Sequence, residues 1–175
     1  VRKTNRPVFL WGMMGAGKTT AGNYLKDTFG LNVFDLDAFI ENKAGNTIPE
    51  LFKIHGEIRF REMEALALQE LCHAHSPYVI VTGGGTPCYH QNDEWMSKNG
   101  LTIFIDCPIS LLTQRITSDH KHRPLLNNLG DSNLEEQLVF LLKSRRNHYE
   151  KAHYTVKVVE ANAWMPTIAG LILAL

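Results

Sequence analysis

Short runs of consecutive apolar residues alternate along this chain with longer stretches whose apolar positions recur every three or four residues. Val8-Phe9-Leu10-Trp11 is the first run. Unbroken apolarity of that length, ending in glycine, predicts a strand buried on both faces. Val33-Phe34-Asp35-Leu36, Tyr78-Val79-Ile80-Val81-Thr82, Leu101-Thr102-Ile103-Phe104-Ile105 and Tyr154-Thr155-Val156-Lys157-Val158-Val159 predict four more. After the first strand, Ala21, Leu25 and Phe29 recur at every fourth position and Gly30 supplies a stop, so a helix is expected from Lys18 to Phe29. Thr47 and Glu50 make a capping box with Pro49 in the first turn. Further helices are expected from about Glu57 to His75, Pro108 to Thr117 and Asn133 to Lys151. Apolar strands separated by helices define an α/β protein with a parallel sheet covered on both faces. No repeat, low-complexity tract or linker interrupts the pattern, so residues 1–175 read as one domain. The segment Ser118 to Ser132 is polar, lacks periodicity and contains Arg123-Pro124, which suits a lid loop.

Composition narrows the function classes. Among 175 residues, 18 Lys plus Arg balance 18 Asp plus Glu. A zero balance argues against bulk electrostatic binding to nucleic acid or membrane. Every apolar run is too short or too interrupted for a signal peptide or a membrane span. Cys72, Cys88 and Cys107 are odd in number and fit neither a zinc site nor a redox pair. Buried free thiols in a reducing cytoplasm are the expectation. The pairs His73/His75 and His120/His122 do not form a ligand set, and Trp11, Trp95 and Trp164 read as packing residues.

Gly12-Met13-Met14-Gly15-Ala16-Gly17-Lys18-Thr19 meets the pattern G-x-x-x-x-G-K-[ST], and it lies after a strand and before a helix. Gly15 and Gly17 let the backbone curl so that its N–H groups face phosphate oxygens. The helix that follows adds its positive N-terminal end. Lys18 is placed to reach the β- and γ-phosphates, and the Thr19 hydroxyl to meet Mg²⁺. This pattern alone does not separate a GTPase, an ATPase and a kinase.

Asp35-Leu36-Asp37 falls at the carboxyl end of the second strand, the edge that faces the ligand crevice in an open α/β sheet. Residues two apart on a strand share a face, which would aim both carboxylates at the site. One would organise the metal's water shell and the other accept a hydroxyl proton. Asp37 serves equally as an N-cap of a helix beginning near Ala38. Gly83-Gly84-Gly85 follows the third strand and is either a ligand-contacting turn or a merely flexible one. Leu134, Leu138, Leu141 and Leu142 form one helical stripe that Arg145 extends, while Arg146 lies about 100° away. An inward arginine needs an anionic partner, either a ligand or a buried acid. Periodicity does not separate Arg59 from Arg61.

Taken in order, these residues resemble the shikimate kinase family. The resemblance runs from about Pro7 to Leu173. It rests on Gly12 to Thr20, Asp35-Leu36-Asp37, Gly56-Glu57 with Phe60-Arg61, Gly83-Gly84-Gly85, Arg123-Pro124-Leu125-Leu126, and Arg145 four residues before Tyr149. It implies a three-layer P-loop fold with a five-stranded parallel sheet in order 2-3-1-4-5. It also implies a shikimate-binding region near residues 35–61 and a lid near 119–129. The implied reaction is phosphorylation of the 3-hydroxyl of shikimate by ATP with Mg²⁺, a step toward chorismate, in a cytoplasmic monomer.

By matching position, Gly15, Ala16, Gly17, Lys18, Thr19 and Thr20 would hold the ATP phosphates. Asp35 would act through a water of Mg²⁺, and Arg123 would reach the phosphates. Arg115 and Pro166 would sandwich adenine. Asp37 would bind the shikimate hydroxyls and act as base, Arg61 and Arg145 would clamp the carboxylate, and Gly83, Gly84 and Gly85 would contact the ring. One departure is Ala163-Trp164, where some relatives carry an arginine. A gluconate or nucleoside-monophosphate kinase and a non-catalytic nucleotide-binding switch remain the rival readings.

Overall fold

A computed structural model of the protein describes residues 6–75, 79–118, 133–159 and 163–174. The first run forms β1 (Val8–Trp11), all four of whose side chains are fully buried. Alternate residues of a strand point to opposite faces, so complete burial means that protein covers both sides of this strand. β1 is the middle of a five-stranded sheet. With β2 (Val33–Asp35), β3 (Val79–Val81), β4 (Leu101–Asp106) and β5 (Tyr154–Lys157), the order is β2-β3-β1-β4-β5. Every pairing is parallel, with Val8 opposite both Val79 and Leu101. This is the expected α/β architecture and strand order.

The helix α1 spans Lys18–Phe29, and Gly30 ends it in the left-handed conformation with its N–H on the Leu25 and Lys26 carbonyls. It packs closely on the sheet because Gly22 has no side chain. A methyl there would lie 2.8 Å from Val81 and 3.1 Å from Val33. The helix α2 (Leu36–Ala44) begins two residues earlier than expected. Its N-cap is Asp35, whose Oδ1 accepts from the backbone N–H groups of Asp37 (3.0 Å) and Ala38 (3.3 Å). Leu36 and Asp37 are therefore helical, and the expectation that both acids share a strand face is corrected. The strand ends because Asp35 turns its carboxylate back onto the chain.

The helix α3 spans Ile48–His75 and kinks at Gly56 (φ 72°, ψ 171°), so the expected long helix after Glu57 is its second limb. The capping box forms at its start, with Thr47 N–H and hydroxyl both donating to the Glu50 carboxylate. The remaining helices are α4 (Asn92–Asn99), α5 (Ile109–Ser118), α6 (Leu134–Tyr149) and α7 (Met165–Leu173). Neither α4 nor α7 was expected. α4 is eight residues long and mostly polar, and the chain enters it through left-handed His90 and Gln91. It is pinned by buried Asp93, which accepts from Lys151 Nζ at 2.8 Å and lies 2.8 Å from His148 Nδ1. The thiols are free, but only Cys107 is fully buried, while Cys72 and Cys88 are half-buried. Tyr78, the lid segment and Arg123 lie outside the described residues.

Candidate active site

The carboxyl ends of β1, β2 and β3 open into a cleft of about 710 Å³. Its floor is the loop between β1 and α1. Gly12 (φ 142°) and Gly17 (φ 98°) hold conformations that side chains rarely adopt, and a methyl on Gly12 would meet the Ile105 carbonyl at 2.6 Å. Gly17 is the N-cap of α1, so the loop leads its N–H groups into the positive end of that helix. Lys18 is buried, and its Nζ donates to the Gly12 (3.0 Å) and Met13 (2.9 Å) carbonyls across the loop. Thr19 Oγ1 donates to Asp35 Oδ2 at 3.2 Å. One carboxylate thus caps α2 with one oxygen and meets the phosphate loop with the other. Two hard oxygen ligands beside a phosphate cradle suit Mg²⁺.

One end of the cleft belongs to Thr20, Arg115 and Trp164. Arg115 Nη1 donates to the Gly15 and Ala16 carbonyls, both at 3.1 Å, which fixes the guanidinium on the outer rim of the loop. Trp164 is buried against Gly17, where an added methyl would lie 3.0 Å from the indole. Pro166 stands in the first turn of α7 on the exposed surface and is not part of the cleft wall.

The opposite end gathers Asp37, Arg61, Gly83, Gly84, Gly85 and Arg145. Periodicity left Arg59 and Arg61 equivalent, and the structure separates them. Arg59 is exposed and pairs with Glu62, whereas Arg61 is 3% exposed. Arg61 donates to Glu64 at 2.9 Å and to Glu57 at 3.2 Å, and it lies over the rings of Phe52, Phe60 and Tyr89. Burial opposes its charge, but Glu64, Tyr89 and Glu57 together hold the guanidinium above its ordinary pKa. Glu64 escaped the sequence reading. It is fully buried, and it also accepts from Thr86 Oγ1 at 2.6 Å. The only signal for it was its spacing of three residues from Arg61 on one helix.

Arg145 lies buried as its stripe predicted, and its Nη1 has no hydrogen-bond partner among the described residues. A buried guanidinium nitrogen in a cleft wall is a site for an anionic oxygen. The glycine turn allows this crowding. A methyl on Gly83 would meet Asp37 Oδ1 at 2.9 Å, and one on Gly84 would lie 3.4 Å from Arg145 Nη1. Burial pushes the Asp37 carboxyl up to about 7, helped by the charges of Glu64 and Asp35 and opposed by Lys18 and Arg61. A carboxylate near neutrality can take a proton from an alcohol as that oxygen attacks phosphorus.

A phosphate loop between strand and helix, facing a raised-pKa acid and two buried arginines across one cleft, defines a phosphotransferase of the P-loop kinase class. The family model described as shikimate kinase matches residues 14–169. A shikimate kinase of Phocaeicola vulgatus is 40% identical over 153 residues, covering 87% of each chain. The shikimate kinase of Acinetobacter baumannii, solved in complex with shikimate, is 38% identical and aligns with a TM-score of 0.85 over 98% of this chain and 95% of its own. The Bacteroides thetaiotaomicron shikimate kinase gives a TM-score of 0.85 at 31% identity, over 97% of this chain and 99% of that one. The chain belongs to the shikimate kinase family.

Proposed function

We propose that the protein transfers the γ-phosphoryl group of ATP to the 3-hydroxyl of shikimate, releasing ADP and shikimate 3-phosphate. The observation that carries this reading is the pair of buried arginines, Arg61 and Arg145, across the glycine turn from Asp37. A small anionic polyol needs a cationic fork for its carboxylate and an acid for its hydroxyls. Family membership supports the same substrate.

Each residue then has a physical task. The backbone N–H groups of Gly15, Ala16 and Gly17 hold phosphate oxygens, with Lys18 on the β- and γ-phosphates and Thr20 on the nucleotide side. Thr19 and Asp35 would hold Mg²⁺, Asp35 through a water, and the ion neutralises phosphate charge when bound. Asp37 aligns the acceptor oxygen and takes its proton. Arg61 and Arg145 fix the carboxylate, and Gly83, Gly84 and Gly85 admit the ring close to backbone. Arg115, on the cleft wall, and Pro166, exposed in the first turn of α7 beyond that wall, would flank an adenine that extends out of the cleft. Arg123 completes the phosphate contacts from the lid near residues 119–129. The acceptor region is the stretch 35–61, and the whole is one domain acting as a cytoplasmic monomer. Among the described residues no helix is long and apolar enough to cross a membrane.

The test is ADP release, by a coupled assay, with shikimate, gluconate and nucleoside monophosphates as acceptors, with and without Mg²⁺. Turnover is expected with shikimate and Mg²⁺ alone. Turnover of another acceptor with none on shikimate refutes the reading.

A further inference from the structure

Tyr149 is the last residue of α6, one helical turn beyond Arg145 and on the same face. It is fully buried, and its ring packs on Phe104 with centroids 5.1 Å apart. Its hydroxyl donates to the carbonyl oxygen of Gly84, across 65 residues of sequence, and also lies 3.6 Å from the Met13 sulfur in the phosphate loop. Its own backbone carbonyl accepts from Trp11 Nε1 at 3.1 Å, which ties the end of α6 to the strand that feeds that loop.

The Gly84 carbonyl belongs to a peptide plane that no side chain of its own two residues steadies. Glycine stands on both sides of it, and glycine resists rotation less than any other residue. In a trans peptide the C=O and the following N–H point in opposite directions. A hydroxyl that holds the Gly84 oxygen therefore turns the Gly85 N–H to the opposite side of that plane. Gly84 and Gly85 both line the cleft. The neighbourhood also includes Arg145, whose Nη1 would lie 3.4 Å from a methyl on Gly84; burial lifts the phenol above its ordinary range against the opposing charge of that guanidinium. The hydroxyl thus sits between the glycine turn and one of the two buried arginines.

We propose that Tyr149 is a positioning residue for acceptor binding: its hydroxyl locks the Gly84–Gly85 peptide in one orientation and braces Arg145 beside it. This rests on the reading of the Asp37–Arg145 end as the shikimate site. Tyr149 touches neither substrate, and it acts by removing alternatives from the groups that do.

The experiment compares wild-type protein with Tyr149→Phe, which keeps the ring and loses the hydroxyl. Shikimate-dependent ADP release in the wild type is read first. If it is absent, the acceptor reading has failed and this inference falls with it. If it is present, Tyr149→Phe is expected to melt cooperatively and to raise KM for shikimate at least about tenfold, with KM for ATP within about twofold. A merely structural tyrosine would lower the melting temperature and move both constants together, or neither. Either of those results, in a folded variant, overturns the proposal and leaves the acceptor reading intact. If Tyr149→Phe does not fold, 3-fluorotyrosine is incorporated at position 149, where the hydroxyl and shape are kept. Its fluorine resonance is expected to shift with shikimate and much less with ADP. A resonance unmoved by shikimate overturns the proposal.

Discussion

A single methyl group at Gly85 tests whether Arg61 clamps the acceptor. Gly85 holds an ordinary right-handed conformation (φ −95°, ψ −17°), so alanine fits the backbone there without strain. The obstacle is Arg61. The added carbon would lie 2.4 Å from Nη2 and 2.6 Å from Cζ of its guanidinium. Ordinary carbon contacts begin near ~3.5 Å, so the guanidinium must retreat by about 1 Å. It cannot swing into water, because Phe52, Phe60 and Tyr89 surround it and its hydrogen bond to Glu64 is 2.9 Å long. A misplacement of about 1 Å in a substrate clamp costs on the order of 10²-fold in rate, or about 2.7 kcal/mol of transition-state stabilisation. The clash also costs stability, about 1–3 kcal/mol by overpacking, partly offset because Gly→Ala restricts the unfolded chain by roughly 0.4–1 kcal/mol. Steady-state kinetics on Gly85→Ala are therefore expected to show kcat/KM for shikimate down about 10²-fold, with KM for ATP within about twofold and a cooperative melt. A variant that retains kcat/KM for shikimate within about threefold would falsify the assignment of Arg61 as an acceptor clamp.

Four further outcomes follow from the same geometry. Asp37 binds its proton more tightly in the folded state (about 7) than its usual 3.8, so its contribution to stability is lost as pH rises between those values. Asp37→Asn should therefore inactivate the enzyme yet stabilise it by roughly 2–4 kcal/mol at pH 8, a figure discounted because one side of the carboxyl faces the cleft. Denaturant melts should show that advantage vanish near pH 3, and an advantage independent of pH would contradict the assignment. In the wild type, kcat/KM for shikimate should rise through about pH 7 as Asp37 loses its proton, and a flat profile from pH 6 to 8 would exclude it as the base. Lys18→Met should cost about 3–4 kcal/mol in kcat/KM, as other electrostatic donors do, while the protein stays folded by circular dichroism. Gly22→Ala should lower stability by about 1–3 kcal/mol through overpacking of α1 on Val81 and Val33, with kinetic constants unchanged below the melting temperature.

The parts of this molecule that were legible in its sequence are those set by local periodicity. Val8–Trp11 announced a strand covered on both sides, and the spacing from Gly12 to Thr19 announced the phosphate loop. Arg145 could be placed inward because four leucines fixed the face of its helix. Arg61 could not be told from Arg59, because both lie on the limb after Gly56 and both flank its apolar face. Asp35 and Asp37 read either as strand neighbours or with Asp37 as a cap, whereas Asp35 is the cap, because which acid folds back depends on where the backbone turns. Glu64 and the Tyr149 hydroxyl were missed for a different reason. Their partners, Thr86 and Gly84, are 22 and 65 residues away, and no local pattern records a contact made by tertiary folding. The short polar α4 lacks an apolar stripe, and the buried Asp93 that anchors it looks like any surface acid in the sequence.

If the phosphate loop and the Asp37–Arg61–Arg145 face form one machine, a phosphoryl group moves onto one hydroxyl of shikimate and no other. The most direct measurement is phosphorus and proton NMR of the product made from ATP, Mg²⁺ and shikimate, with ADP quantified in the same sample. One ADP is expected for each phosphate ester, with the phosphorus coupled to the proton on carbon 3. ADP formed without an ester, or phosphate carried on another hydroxyl, would contradict it.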